Sequence, residues 1–255
     1  MDENIIIGRV LDIGERMLQS GGEVSRVEDT IGRILKAYQF VRVDVFTITS
    51  EIQLTAVYKD GTVYNQIRRI NKWGTNLEEL ERLNQLSRDL CEDKIQLKDI
   101  HLARKDTAES KNKIFVSYIG AILAASGFTI FFGGGLADAL ATAVLACVIT
   151  VMNRHSHWKS ENQLLYYFLF SIITGFIGNL LVFIGSSAGI VMDLDKILIG
   201  CIMLTIPGIA ITYSVRDMLL GEIITGLLRF FESLLIATSI AGGYILSSMI
   251  MGGGL

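Results

Sequence analysis

Charged side chains of both signs recur at short spacing in an otherwise apolar part of the sequence, namely Arg216, Asp217, Glu222, Arg229 and Glu232. Charges at or near membrane depth are costly and usually serve a function. An arginine there can bind a carboxylate through two parallel hydrogen bonds, and a carboxylate there can carry a proton. The alternative is that these residues lie at the membrane interface, anchor the topology and pair with each other. Arg229 and Glu232 are three positions apart, a spacing that suits a pair on one helix.

The single proline of the chain, Pro207, precedes Gly208 inside an apolar run. Proline removes a backbone hydrogen bond and clashes with the preceding turn, so we expect a helix to break here. A broken membrane helix exposes backbone groups to a ligand, as in many transporters, whereas the alternative is a kink that serves packing alone. Thr205 either lines this break or hydrogen-bonds its own backbone. Asn179, in another apolar run, either binds a substrate or hydrogen-bonds a neighbouring helix.

A second charged segment runs from Glu23 to Asp29 and includes Arg26 and Glu28. Paired carboxylates can perform acid–base chemistry. However, the sequence has no Gly-x-Ser-x-Gly motif and no Ser-His-Asp order, and His101 is the only histidine before residue 114. We therefore expect no catalytic residue, and interpret Glu23 and Arg26 either as a structural pair or as a cytoplasmic gate.

Metal and cofactor sites have little support in the sequence. His155 and His157 lack a third ligand, so we expect a loop there and no metal. The three cysteines are too few and too scattered for a disulfide framework or a zinc cluster. No ATP-binding Gly-x-x-x-x-Gly-Lys-Ser/Thr motif occurs, so we expect no nucleotide cofactor.

The composition divides the chain into two parts. The 255 residues carry a net charge of −3, so nothing favours a nucleic-acid partner, and 51% of them are hydrophobic, which excludes a disordered protein. Residues 1–113 hold 37 charged residues, whereas the 142 residues that follow hold 12. This contrast predicts a water-soluble domain at 1–113 and a membrane domain at 114–255.

Five apolar stretches in the second part approach the 20 residues that a helix needs to cross a bilayer. They lie at about 114–132, 136–152, 164–185, 197–215 and 231–250. The flanks on one side of these spans hold eight Lys and Arg residues, and the other side holds one, Lys196. This bias predicts a cytoplasmic amino terminus and an outer carboxyl terminus. The linker at 218–230 is expected to be either an interfacial amphipathic helix or an extension of the fifth helix.

The soluble part is predicted to be an α+β domain of order ααβββα. The spacing of apolar residues changes from helical to alternating and back to helical. Ser25 and Glu28 fit a capping box at the start of the second helix. A polar helix at about 97–113 is expected to lead into the membrane. The predicted elements are helices at 4–20, 25–40 and 77–93 and strands at 41–50, 53–59 and 62–70.

Two stretches carry a resemblance to a known family. One is Gly14–Glu23 with Arg26–Thr30, and the other begins Leu204-Thr205-Ile206-Pro207-Gly208 and continues through Arg216-Asp217-Met218-Leu219, Gly221-Glu222, Gly226, Arg229 and Glu232. Together they resemble the threonine/serine exporter family. That resemblance implies a soluble amino-terminal domain joined to a five-helix membrane unit with a Pro-Gly helix, in a bacterial cell (inner) membrane.

The resemblance also implies a partner. Single-chain exporters of this family are similar to this chain plus a smaller membrane unit, so the chain resembles the larger subunit of the split form. Its partner would be a small membrane protein of about four helices, and homo- or hetero-oligomers are expected. One split pair of this kind is associated with succinate export, so the substrate is either an amino acid or a dicarboxylate.

Two functional hypotheses follow. The favoured one is a subunit of a secondary exporter of a small carboxylate-bearing metabolite, driven by an ion gradient, with protons as the expected ion. Its expected pathway residues are Pro207, Gly208, Thr205, Asn179, Asp217, Glu222, Arg229 and Glu232. The alternative is a membrane-anchored sensor or enzyme whose cytoplasmic domain binds a small metabolite.

Overall fold

The computed structural model of the protein describes residues 2–71, 74–100, 111–155 and 162–251. Its described residues form nine α-helices and one three-stranded sheet, divided between two compact units. The first unit holds the described residues up to 100 together with Ile209–Phe231, and the second holds 111–208 and 232–251. Residues 209–231, which the sequence assigns to the membrane domain, therefore belong to the first unit.

Two helices open the first unit, α1 (Glu3–Gln19) and α2 (Val24–Ala37). The Asp2 carboxylate accepts a hydrogen bond of 2.9 Å from the Asn4 N–H and caps α1. The predicted capping box at the start of α2 is wrong. Glu23 occupies the N-cap position without a side-chain hydrogen bond, and Glu28 accepts from the distant Thr47 N–H instead. The capping prediction fails because the fold brings the Thr47 N–H close to Glu28, and the Glu28 carboxylate accepts that hydrogen bond instead of one at the start of its own helix.

The three strands pair as an antiparallel meander in the order β1 (Phe40–Ile48), β2 (Glu51–Tyr58) and β3 (Val63–Arg69). The central strand alternates strictly, as a half-buried strand should. Its buried side chains face α1 and α2 in one core, and this core includes Ile52, Leu54, Ala56, Ile7, Val10, Val27, Ile31 and Ile34.

The helix α3 (Leu77–Cys91) follows the sheet, and Asn76 caps it by accepting from the Glu79 N–H at 3.1 Å. Leu83 and Leu90 bury its apolar stripe in the same core. Of the polar helix predicted at 97–113, the structure describes a short 3₁₀ turn at Leu97–Asp99 and the first residues of α4. Residues 101–110 lie outside the described part of the chain. The observed order agrees with the predicted ααβββα arrangement.

Six more helices follow: α4 (Lys111–Phe131), α5 (Leu136–His155), α6 (Gln163–Ser187), α7 (Leu194–Thr205), α8 (Gly208–Leu219) and α9 (Ile223–Ile250). Among the described residues, α4, α5, α6 and α9 are long and apolar enough to cross a membrane. A fifth span results if α7 and α8 count as one broken span. The predicted membrane helices are thus present. The linker at 218–230 extends the fifth span from Ile223 rather than forming a separate helix.

The helix break falls where the sequence predicts it. Ile206 ends α7 in an extended conformation, with φ −63° and ψ 135°, because the ring of the following proline excludes a helical residue before it. Pro207 has no N–H to donate to the preceding turn, and α8 restarts at Gly208. The Gly208 N–H donates to the Ile206 carbonyl at 2.8 Å.

Hydroxyl groups and glycines pack the second unit. The Thr129 hydroxyl of α4 donates to the Thr142 hydroxyl of α5 at 2.9 Å. Gly200 of α7 sits directly against this pair, and a Cβ there would overlap the Thr129 Oγ1. On α6, Gly175 faces Ser247 of α9 in the same way. Small residues thus allow close helix packing, as is common in membrane proteins.

We expect Gly200→Ala to destabilise the second unit, because the new methyl group would overlap Thr129 and the Ala125 carbonyl, which lies 2.7 Å from the Cβ position. Such overpacking costs about 1–3 kcal/mol. The free energy of unfolding, measured by SDS titration of the full chain in mixed micelles, checks this. Gly127→Ala on α4 is the matched control, since nothing lies within 4 Å of its Cβ position. Equal stability of the two variants would contradict the expectation.

Candidate functional site

The turn between α8 and α9 forms one side of the candidate site. Gly221 has a positive φ of 97°, and the Glu222 N–H donates to the Asp217 carbonyl at 2.9 Å. These are the features of a Schellman helix end, which favours glycine at this position. The chain then reverses into α9, where Gly226 lies so close to α8 that a Cβ would come within 2.7 Å of the Ser214 carbonyl. The turn and this close approach bring the polar faces of α8 and α9 together.

The turn between α1 and α2 forms the other side. It is a second Schellman end, in which Gly21 has a φ of 87° and the Gly22 N–H donates to the Met17 carbonyl at 2.8 Å. The Gly74 N–H, in the segment before α3, donates a hydrogen bond to the Gln19 carbonyl and links that segment to this turn. The backbone that presents the Gly22 carbonyl and the Glu23 side chain is therefore fixed by hydrogen bonds.

Two ion pairs involve consecutive residues of α8: one joins α8 to the α1–α2 turn, and the other joins α8 to α9. Arg216 pairs with Glu23, and Asp217 pairs with Arg229 of α9 at 3.0 Å between Oδ2 and Nη1. The other Arg229 nitrogen, Nη2, donates a long hydrogen bond of 3.4 Å to the Gly22 carbonyl. The two arginines therefore contact adjacent residues of the α1–α2 turn, Arg216 the Glu23 side chain and Arg229 the Gly22 carbonyl.

The two ion pairs differ in exposure. The side chains of Arg229 and Asp217 are 12% and 3% exposed, whereas those of Arg216 and Glu23 are 51% and 16% exposed. A charge that leaves water needs a partner because burial alone is costly. In the inner pair, Asp217–Arg229, separation would therefore be costly because both charges are buried, whereas in the outer pair, Glu23–Arg216, the arginine remains open to solvent.

A further carboxylate belongs to the same region. Glu28 accepts a hydrogen bond of 2.7 Å from the Thr47 N–H. Burial raises the pKa of the Glu28 carboxyl above its ordinary value, and the charge of Glu222 raises this pKa further, while the bond from Thr47 opposes the shift. The Glu222 carboxylate therefore lies close enough for the two acids to repel each other.

We use the term charge cluster for these six residues: Glu23, Glu28, Arg216, Asp217, Glu222 and Arg229. With all acids ionised, it holds four carboxylates and two guanidinium groups. Guanidinium groups bind carboxylates in a planar, two-bonded geometry. The arrangement can therefore hold a carboxylate, exchange one carboxylate for another, or take up a proton on an acid.

The structure brings together most of the predicted charged residues. The charge cluster contains Asp217, Glu222, Arg229 and the predicted gate residue Glu23. The other gate residue, Arg26, is exposed on α2. Glu232 lies three residues after Arg229 on α9 and is half-buried, and it is part of the second unit. No finding tests the assignment of these residues to a transport pathway.

Sequence reasoning missed two members of the site. Glu28 was assigned to helix capping, although its position beside the apolar stripe of Val24, Val27 and Ile31 is a signal for partial burial. The Gly22 carbonyl had no sequence signal, since its partner is 207 residues away.

The predicted polar residues of the spans make local bonds. The Thr205 hydroxyl donates to backbone carbonyls of its own helix, at 3.1 Å and 3.3 Å. The Asn179 side chain donates to the Gly175 carbonyl one turn earlier at 3.0 Å. Thr205 therefore matches its backbone-bonding alternative, whereas Asn179 bonds within its own helix α6, which neither of its two expectations described. Pro207 and Gly208 form the break itself, half-exposed and exposed.

Metal ligands have no support in the described residues, where no group of three His, Cys, Asp or Glu side chains is arranged to hold an ion. His155 ends α5, and its predicted companion His157 lies outside the described residues.

Comparison with known proteins gives one match. The family model ThrE, described as a threonine/serine exporter, matches residues 9–251 and thus nearly the whole chain. No curated protein and no solved structure among those compared matches significantly. The match includes every residue of the charge cluster and the Pro207 break.

We expect Asp217→Asn to destabilise the α8–α9 hairpin, because it replaces the carboxylate beside the largely buried Arg229 guanidinium with a neutral amide. Removing one partner of a buried pair costs about 3 kcal/mol or more. The double variant Asp217→Asn with Arg229→Gln removes both charges, so it should cost less than the sum of the two single variants. The free energy of unfolding of the full chain in mixed micelles gives all three values.

The matched control is the exposed pair Asp29–Arg33 on α2, whose side chains are 54% and 72% exposed. Its neutralisation by Asp29→Asn should change stability by less than about 1 kcal/mol. If Asp217→Asn costs no more than Asp29→Asn, the inner pair does not hold the hairpin.

We expect Glu28→Gln and Glu28→Ala to differ. Glutamine keeps an acceptor for the Thr47 N–H and removes the buried charge, whereas alanine leaves that buried N–H without its acceptor, at a cost of about 1–3 kcal/mol. Because the pKa of Glu28 is raised in the folded protein, its ionised form opposes folding above that pKa, and the penalty disappears in acid. The advantage of Glu28→Gln over the natural residue should therefore shrink on acidification. Hydrogen exchange of β1 in the full chain measures both effects, and equal protection in the two variants would contradict them.

Proposed function

The chain belongs to the threonine/serine exporter family, and from this we propose that it is a subunit of a secondary transporter that moves a small carboxylate-bearing metabolite out of the cell. The metabolite is threonine, serine or a dicarboxylate such as succinate. The membership itself supports a multi-pass membrane protein of a transporter family. The substrate, its direction and the source of energy are the proposed parts.

The observation that carries this proposal is the broken span beside paired charges. The first helix of this span ends at Thr205, and the second begins at Gly208 and carries Arg216 and Asp217 in its last turn, each of which has an ionic partner. Broken helices free backbone groups for a ligand, and arginine side chains recognise carboxylates. A scaffold that only anchors a soluble domain needs neither feature.

We further propose that an ion gradient, most simply of protons, drives export. The sequence carries no nucleotide-binding loop of the Gly-x-x-x-x-Gly-Lys-Ser/Thr kind. Acids that lie close to one another favour proton uptake, because like charges oppose the ionisation of both. Glu28 and Glu222 are such a pair, and Asp217 is a buried acid that is paired with Arg229.

The proposed roles follow the positions of the residues. Pro207 and Gly208 open the backbone of the fourth span, with Thr205 and Asn179 as polar neighbours of the pathway. The start of the pathway is lined by the charged side chains of Asp217, Glu222, Arg229 and Glu232. Glu23 and Arg26 act as a gate on the cytoplasmic side, a role that the contact between Glu23 and Arg216 supports.

The assembly is proposed from the family resemblance. In this proposal the chain is the larger subunit of a two-component exporter, with a partner membrane protein of about four helices, in a bacterial cell (inner) membrane. Residues 1–113 form the cytoplasmic domain, residues 114–255 form the membrane domain, and the carboxyl terminus lies outside. The excess of Lys and Arg on one side of the spans supports this orientation.

Efflux of labelled metabolites tests the function. Cells that express the chain together with its proposed partner, a membrane protein of about four helices, should export labelled threonine, serine or succinate faster than cells with an empty vector. The chain without its partner should give less efflux, and dissipation of the proton gradient should abolish the difference. Equal efflux from all cells for all three acids would contradict the proposal, and metabolite binding without efflux would favour a sensor.

The Pro207→Ala variant forms a second arm of the same experiment. Alanine restores a helical residue with an N–H, so the span should become more continuous and transport should fall while the protein still inserts. Gly120→Ala on α4, where nothing lies within 4 Å of the Cβ position, is the control for insertion and expression. Undiminished efflux with Pro207→Ala would show that the break serves packing alone.

A further inference from the structure

We propose that the Glu23 carboxylate is a tethered competitor that occupies the Arg216 guanidinium until a carboxylate of the exported metabolite replaces it. The inference rests on the proposed function and assigns a carboxylate-binding site to Arg216. It also gives the gate a mechanism, since the same exchange that binds the metabolite releases the contact between the α1–α2 turn and α8.

The charges of the cluster favour exchange over simple addition. Each arginine already has a carboxylate partner, Glu23 for Arg216 and Asp217 for Arg229. With four carboxylates against two guanidinium groups, the ionised cluster is negative overall. An additional anion is therefore repelled unless one of the resident carboxylates leaves.

The exposures identify which carboxylate leaves. Separating Asp217 from Arg229 would strand charges that are 3% and 12% exposed, and Arg229 also bonds to the Gly22 carbonyl. Arg216 is half-exposed and Glu23 keeps some exposure, so water can solvate both after separation. Solvent-exposed ion pairs are weak. The outer pair is thus the exchangeable one, and the inner pair holds α8 and α9 during the exchange.

The fold does not depend on the Glu23 carboxylate. Glu23 occupies the N-cap position of α2, but its side chain makes no capping bond. Its backbone carbonyl accepts the first helical bond, from the Val27 N–H at 3.0 Å, whatever the side chain does. The preceding turn is closed by bonds of Gly21 and Gly22 to α1. A release of the side chain from Arg216 therefore leaves the turn and the helix in place.

The required ligand chemistry is a free carboxylate. An amide in place of that carboxylate lacks the charge and the second acceptor oxygen that a guanidinium fork uses. After exchange, Glu28 and Glu222 remain as negative neighbours in the cluster. A zwitterion therefore meets less repulsion than a dianion, so threonine and serine should exchange at lower concentration than succinate.

Protection of Arg216 from an arginine-specific reagent tests the exchange without transport. The purified full chain is treated with phenylglyoxal, and modification of the Arg216 peptide is followed by mass spectrometry with increasing threonine, serine, succinate or threonine amide. The carboxylates should protect Arg216, and threonine amide should not. In Glu23→Gln, the metabolite concentration that gives half-maximal protection of Arg216 (the half-protective concentration) should fall ~2- to 5-fold. This is the change that corresponds to the loss of an exposed ion pair.

Asp29→Asn is the matched control, since it removes a carboxylate from an exposed ion pair of the same helix. It should leave the half-protective concentration unchanged. The inference is overturned if no carboxylate protects Arg216, if threonine amide protects equally, or if Glu23→Gln leaves the half-protective concentration unchanged or raises it.

Efflux with the partner present separates this inference from the proposed function. Glu23→Gln should lower the internal concentration that gives half-maximal efflux by a similar factor, and Glu23→Gln combined with Arg216→Gln should lose that gain. Saturable efflux with no effect of Glu23→Gln overturns the exchange and leaves the exporter intact. Protection of Arg216 without any efflux would instead overturn the exporter and leave the binding site.

Discussion

The buried ion pair between Asp217 and Arg229 is the constraint on which the site depends. A carboxylate that is 3% exposed must have a counter-charge close by, because its desolvation is otherwise uncompensated. This requirement fixes α9 against α8 at the point where Arg229 also reaches the Gly22 carbonyl. Once Asp217 is held, the preceding residue, Arg216, must point its side chain elsewhere, and it meets Glu23.

Glycine turns make this arrangement geometrically possible. Gly21 and Gly221 adopt positive φ angles that other residues rarely reach, and each ends a helix with the same pair of backbone bonds. The residues that follow the two glycines are Gly22-Glu23 and Glu222, all of which belong to the site or contact it. The two glycine turns thus place side chains that are about 200 positions apart in the sequence in one region of the structure.

Polar groups have different tasks in the two units. Hydroxyls of the second unit, such as those of Thr129, Thr142 and Thr205, are consumed by bonds to one another or to the backbone of their own helices. They allow close packing where glycines face them. The charged groups of the first unit pair with one another instead, and of the two pairs only Glu23–Arg216 includes a half-exposed side chain, that of Arg216. The guanidinium groups of the broken span and of α9 are therefore concentrated at the charged end of that span, whereas Thr205, beside the break, bonds to its own helix.

The sequence by itself determined the apolar spans, the α+β order of the amino-terminal part, the helix break at Pro207 and the family, because each depends on local composition, periodicity or a short motif. It also identified Asp217, Glu222 and Arg229 as charged residues with an expected functional role. Only the tertiary structure decided their partners. Sequence spacing favoured Glu28 as a cap at the start of α2, but the fold places its carboxylate against the Thr47 N–H. The fold also pairs Arg229 with Asp217 of the preceding helix. The physical reason is that a buried charge is satisfied by whatever the fold brings nearest, and that distance cannot be read from positions along one chain.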